Sequence, residues 1–112
     1  MKTFRIPLRV VFYQEEGAWI AHCLEFDLVG DGDSCKAALD SLAEAIGLQL
    51  EASVEHGNPR NLFRPAPGEF FQMFAEGKGV TIGELNFEIG PYKVEHTETR
   101  EYDGVKQDCV PV

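Results

Sequence analysis

Glu25, Asp27, Asp31 and Asp33 crowd into one short stretch of the chain. On a turn, such carboxylates could hold a hard cation such as Mg²⁺ or Ca²⁺, and a metal held there would suit a metal-dependent hydrolase. Two features weigh against that chemistry. The calcium-loop pattern ending in a bidentate Glu is absent. Two-metal nuclease chemistry also needs an acidic residue aimed into a cleft from the first strand, and that strand supplies Arg5 and Arg9. A solvated turn followed by a helix cap accounts for the same four carboxylates.

The other reactive side chains are scattered. His22, His56 and His96 lie far apart, with no Cys or Asp at the spacing of a metal site or triad. His22 could face a partner from a strand or simply be hydrogen-bonded there. Ser34 and Cys35 sit where a helix should begin, and a helix dipole can activate a thiol. No histidine lies nearby in sequence to act as base, so capping is the better account. Gly30-Asp31-Gly32-Asp33 resembles a phosphate loop in its glycines only, since two carboxylates occupy the place of the anion. The expectation is a chain that is not an enzyme, with no metal and no cofactor.

The positioning elements are legible from periodicity. Phe4, Ile6, Leu8, Val10 and Phe12 alternate with Arg5, Pro7 and Arg9, the pattern of a half-buried strand. Pro7 cannot donate to a ladder and predicts a gap or an edge there. Gln14-Glu15-Glu16-Gly17 reads as a turn, Ala18–Cys23 as the returning strand, and Asp27–Gly30 as a third. Asp33 or Ser34 can cap a helix running to about Glu55, with Gly57 as its left-handed stop. Leu39, Leu42, Ile46, Leu50 and Val54 form its apolar stripe, and Asp40, Glu44, Glu51 and Glu55 form a second, acidic one.

After Gly57, residues 58–67 read as a proline-containing linker. A short helix is predicted from Pro67 to Gly77, bearing Phe70, Phe71 and Phe74, too short to stand without docking. Together with Phe63 these rings could form a docking patch for another chain, though packing on the domain's own sheet is preferred. Leu85, Phe87 and Ile89 suggest one strand and Tyr92–Glu95 another, with a loose polar end from Glu98. Trp19, the single tryptophan, suits either the core or a binding hot spot, with the core preferred.

A chain of 112 residues, 44% apolar, can build one two-layered core and little more. The reading is an α+β domain: residues 1–57 form a β-β-β-α core, and residues 58–112 supply linker, short helix and terminal strands on the same domain. No apolar run is long enough to cross a bilayer and no signal-peptide pattern opens the chain, so a cytoplasmic, non-membrane protein is expected. Cys23, Cys35 and Cys109 match neither a disulfide framework nor a zinc knuckle and are read as reduced thiols. A net charge of −9 disfavours direct DNA or RNA binding. It suits a basic protein partner, or simply solubility.

One order of motifs goes further. Gly17, Trp19, Ala21, Cys23 and Leu24 lead to Gly30–Ser34, then to Ala38-Leu39 and Ala45-Ile46. This resembles the HicB-like antitoxin family over roughly the first half of the chain, the N-terminal domain only. The resemblance implies a truncated ribonuclease-H-like fold, a small antiparallel meander sheet covered by one long helix. It also implies a type II toxin-antitoxin role: binding a small basic HicA-type toxin that cleaves messenger RNA, without nuclease activity. Family members often carry a C-terminal DNA-binding motif, and none is recognisable after Glu55. The expected contacts are Trp19, His22, Glu25 and Asp27, with Asp40, Glu44, Glu51 and Glu55; Asp33 and Ser34 serve as helix cap. The alternatives are a solitary homo-oligomeric scaffold or sensor, paired through an open sheet edge, and the metal-dependent hydrolase.

Overall fold

The computed structural model describes residues 4–57, 63–83, 85, 87–89 and 92–102. The linker residues 58–62, Cys109 and the rest of the tail beyond Tyr102 lie outside the described residues.

Strands β1 (Phe4–Glu15) and β2 (Ala18–Cys23) form an antiparallel hairpin in which Glu15 pairs with Ala18. The two loop residues, Glu16 and Gly17, both take positive φ, 52° and 84°. That conformation twists as the strands do and holds the register firmly. β3 (Leu28–Gly32) pairs antiparallel with β2.

Helix α1 (Cys35–Glu55) follows. Of the two candidate caps Ser34 is the one used: its Oγ accepts from the Ala37 N–H at 3.1 Å, satisfying a donor the first turn leaves open. Gly57 takes φ 61° just past the helix end, where glycine avoids a Cβ clash. The face against the sheet comprises Cys35, Ala38, Leu39, Leu42, Ile46, Leu50 and Ser53. Val54, expected in that stripe, is instead exposed (41%). The helix turns slightly more than the three-and-four spacing allows over its full length, so Ser53 takes the inward place at the last turn.

The second half completes the sheet in a way the sequence did not reveal. Helix α2 (Gly68–Glu76) is followed by β4 (Lys78–Gly79), β5 (Phe87–Ile89) and β6 (Tyr92–Glu101). The strand order is β3-β2-β1-β6-β4, with β5 also on β6. β6 runs parallel to β1, so the sheet is mixed rather than antiparallel throughout, and β1 is central. The long connection through two helices lets the chain return in the same direction. At Pro7 the pairing slips: Ile6 pairs with Val94, and Pro7 with His96. The missing N–H is a reason for a register shift there.

β6 also corrects the loose end expected from Glu98. The strand continues to Glu101, with Thr97, Thr99 and Glu101 buried. The Thr97 hydroxyl accepts from the Leu85 N–H at 3.1 Å, and the Thr99 hydroxyl donates to the Val80 carbonyl. The threonines thus pin the irregular stretch between β4 and β5 along the strand.

A central strand is covered on both faces. Leu8, Val10 and Phe12 meet α1 together with Trp19, Ala21 and Cys23. On the opposite face Val11 and Leu24 are fully buried with Ala66 and Phe74, and Tyr13, Phe70, Phe71 and Met73 pack around them. One long helix is therefore not the only cover. Phe74 faces the sheet as expected, whereas Phe63 is half exposed (49%) and touches the Phe26 ring.

Cys23 is free and buried, and burial pushes its thiol up to about 12. Cys35 is disulfide-bonded. The reading of three reduced thiols therefore fails at Cys35, because spacing along a chain does not fix which thiols meet in space. No described helix is long and apolar enough to cross a membrane.

Candidate protein-binding surface

The acidic stripe of α1 is displayed as its spacing predicts. Asp40, Glu44, Glu51 and Glu55 are all exposed. Asp40 accepts from Lys36 Nζ at 2.6 Å, an i,i+4 pair in open solvent that contributes little. Leu48, 69% exposed, stands within the row between Glu44 and Glu51. Spacings of three and four put Glu44, Leu48, Glu51 and Glu55 on one side of the helix. An apolar centre flanked by carboxylates has the make-up of a protein contact, whose middle excludes water while its rim is polar.

The four expected contacts on the sheet are placed differently. Trp19 is 7% exposed and belongs to the core facing α1. It lies on the face of the hairpin that the helix covers, beside Leu8, Val10 and Phe12 of β1, so little of it is left to meet a partner. Glu25 has both oxygens engaged: Oε1 accepts from the Arg9 backbone N–H and Oε2 from Arg9 Nε, each at 2.7 Å. Arg9 in turn lies over the Phe71 ring, 4.8 Å from its centre. Glu25 therefore anchors β1 and α2, and its carboxylate is not on offer.

His22 is buried as well, at 3% exposure, beneath Phe70 with ring centres 4.3 Å apart. Its Nε2 lies 2.7 Å from Asp27 Oδ1 and its Nδ1 3.1 Å from the Tyr13 hydroxyl. A carboxylate only accepts, so Nε2 carries a hydrogen and donates. With neutral imidazole, Nδ1 accepts from the Tyr13 O–H. Of these contacts only Asp27 remains accessible, and it holds a strained φ of 52°.

Hydroxyl, imidazole and carboxylate in series have the order of an activated nucleophile. Two observations weigh against that role. The Phe70 ring lies against the imidazole, ring centres 4.3 Å apart, and covers it. The Tyr13 hydroxyl is pushed up to about 12, first by burial and then by Glu15, Asp27 and Glu69, which makes it a poor source of tyrosinate. The series works instead as a clamp joining β1, β2 and α2.

That clamp sets an alkaline limit. The folded pKa of Tyr13, about 12, lies above its ordinary 10.0. Its stabilising contribution is therefore complete below pH 10 and lost as pH rises through 12. Denaturation midpoints followed across that window should fall for the native chain and fall less for Tyr13→Phe. An identical fall in both would exclude Tyr13 as the cause.

No family model, curated protein or solved structure matches the chain. Its site must therefore be argued from its own residues. Among the described residues no group of three or more His, Cys, Asp and Glu side chains is placed to hold a metal. Glu25 and Asp27 are turned to Arg9 and His22, while Asp31 and Asp33 remain exposed. Among the described residues, the surface open to another molecule includes the α1 row with Leu48 and the outer strand with Val29, 52% exposed.

The sequence reading missed Tyr13 and Phe70 as partners of His22. The signal was present in the turn. Once Glu16-Gly17 is the two-residue loop, Tyr13 pairs with Ile20 and Val11 with His22. Tyr13 and His22 are then diagonal neighbours on one face, within reach of long side chains.

Proposed function

We propose that this chain is a HicB-like, antitoxin-type binding module that neutralises a small basic, mRNA-cleaving protein of the HicA type. The motif order from Gly17 to Ile46 supports this reading. So does the arrangement of β1, β2 and β3 backed by α1, which fits the truncated ribonuclease-H-like architecture the resemblance implies. The observation that carries the proposal is the row Asp40, Glu44, Glu51 and Glu55 on one exposed helix face around Leu48, in a chain of net charge −9. Charge of that sign speeds encounter with a basic surface and repels RNA. The module works in the cytoplasm, as a homo-oligomer, without catalysis of its own.

The proposal requires a small basic protein encoded in the adjacent reading frame, and its absence would remove the reading; where it is present, it is the binding partner for the test. Asp40→Lys combined with Glu44→Lys should slow its association about tenfold at low salt and flatten the dependence of that rate on ionic strength. Both positions are exposed, so the variant should keep its fold. Association rates equal to those of the native chain at every salt concentration would remove the acidic row from the interface.

A further inference from the structure

The two edges of the sheet are finished differently. Beyond β6, backbone groups are taken up by β4, by β5 and by Val80, whose N–H donates to the Thr99 carbonyl, while the Leu85 N–H bonds the Thr97 hydroxyl. At the other edge β3 pairs with β2, and among the described residues no strand lies beyond it. An outer strand presents a row of backbone donors and acceptors suited to one more strand. We propose that β3 is a docking edge for an extended basic segment of a partner protein, which adds a strand to the sheet.

The side chains along the edge indicate the occupant. Val29 is half exposed and lies opposite His22 in register, on the face away from α1. Asp31 and Asp33 are exposed and have no ion-pair partner among the described residues, and Asp27 keeps 42% of its side chain in solvent. A second copy is a poor fit. An antiparallel pair of β3 strands centred on Gly30 sets Asp27 of each copy against Asp33 of the other, and a parallel in-register pair sets Asp31 against Asp31. Like charges facing across a pair are destabilising. A strand alternating basic and apolar residues satisfies the backbone, places cations at the aspartates and covers Val29.

The approach is open for a structural reason. A Cβ at Gly30 or Gly32 would meet the α1 backbone at 2.2 Å or the Ala37 side chain at 2.7 Å. The helix is thus held tight against the inner face of β3, and a strand added outside comes alongside the element that carries the carboxylate row. The inference rests on the reading of a basic protein partner and adds the place and manner of its binding.

The probe is a blocked Lys-Val-Lys-Val-Lys-Val-Lys peptide, titrated into the ¹⁵N-labelled full chain and followed by amide shifts and hydrogen exchange. Shifts and slowed exchange concentrated at residues 28–32 are expected. Affinity should fall about tenfold for Asp31→Lys combined with Asp33→Lys, both exposed positions, and should vanish for a peptide N-methylated along one edge. Equal binding of the N-methylated peptide, or of one with Glu for Lys, would overturn the added strand. So would shifts confined to α1, and that result would leave the acidic helix face, and the reading built on it, standing. No shift at millimolar peptide would overturn the edge site, whereas the partner reading is decided separately by the adjacent-frame protein.

Discussion

Gly30→Ala should destabilise the protein by about 3 kcal/mol, at the upper end of what added atoms cost in a packed core. The added Cβ would fall 2.2 Å from the Leu42 nitrogen, 2.5 Å from the Ala38 carbonyl oxygen and 2.8 Å from the Leu42 Cα. All three are backbone atoms of α1, so no side-chain rotation relieves the contact. β3 and α1 must separate, and the buried Ala38, Leu39 and Leu42 lose their fit against the sheet. Gly30 has no positive φ, so its requirement is close approach rather than conformational freedom. In urea the midpoint should drop at unchanged slope. Adding Leu42→Ala should give no rescue, because the obstruction is main chain. A loss below about 0.5 kcal/mol, or rescue by Leu42→Ala, would contradict the β3–α1 packing.

Phe74→Ala should cost about 3–5 kcal/mol, as deletion of a buried aromatic does. Phe74 is 6% exposed among Val11, Leu24 and Ala66. The Arg100 guanidinium lies over its ring at 4.4 Å and donates to its carbonyl at 3.1 Å, so truncation also removes a cation–π contact. A helix of nine residues cannot hold itself without docking. The variant should lose hydrogen-exchange protection first in α2, and next around Tyr13 and His22, which Phe70 covers. Retained protection in α2 with stability within about 1 kcal/mol of native would mean that this second layer is not part of the cooperative unit.

Phe74 also shows where the sequence was transparent and where it was not. Period-two alternation from Phe4 to Phe12, the turn ending at Gly17 and the leucine spacing of α1 are local signals that place these elements, although the turn read over Gln14–Gly17 narrows to Glu16 and Gly17 because β1 runs on to Glu15. The second face of β1 is non-local. Val11 and Tyr13 interrupt the polar positions only slightly, yet their burial depends on a helix more than fifty residues away in the chain. The parallel pairing of β6 is hidden for the same reason. Thr97, Thr99 and Glu101 look like a solvated end, and only their partners across the sheet make them interior.

The candidate surface divides along that line too. The α1 carboxylates were readable because exposure on a helix follows periodicity. Trp19 in the core and His22 hydrogen-bonded on its strand follow the preferred residue-level readings; which elements cover them, and the tie of Glu25 to Arg9, were not readable, because a strand alternation gives two faces without saying what lies against each. The consequence is that the proposed contact surface moves from the hairpin to α1 and the β3 edge.

The measurement closest to the central claim is a titration of this chain into an RNA-cleavage assay of the small basic protein that the proposal requires in the adjacent reading frame. Cleavage should fall in proportion to added chain and stop at a fixed stoichiometry, with the chain alone leaving RNA intact with or without Mg²⁺. Cleavage that persists in the presence of excess chain, or RNA cut by the chain itself, would contradict a module that works by binding.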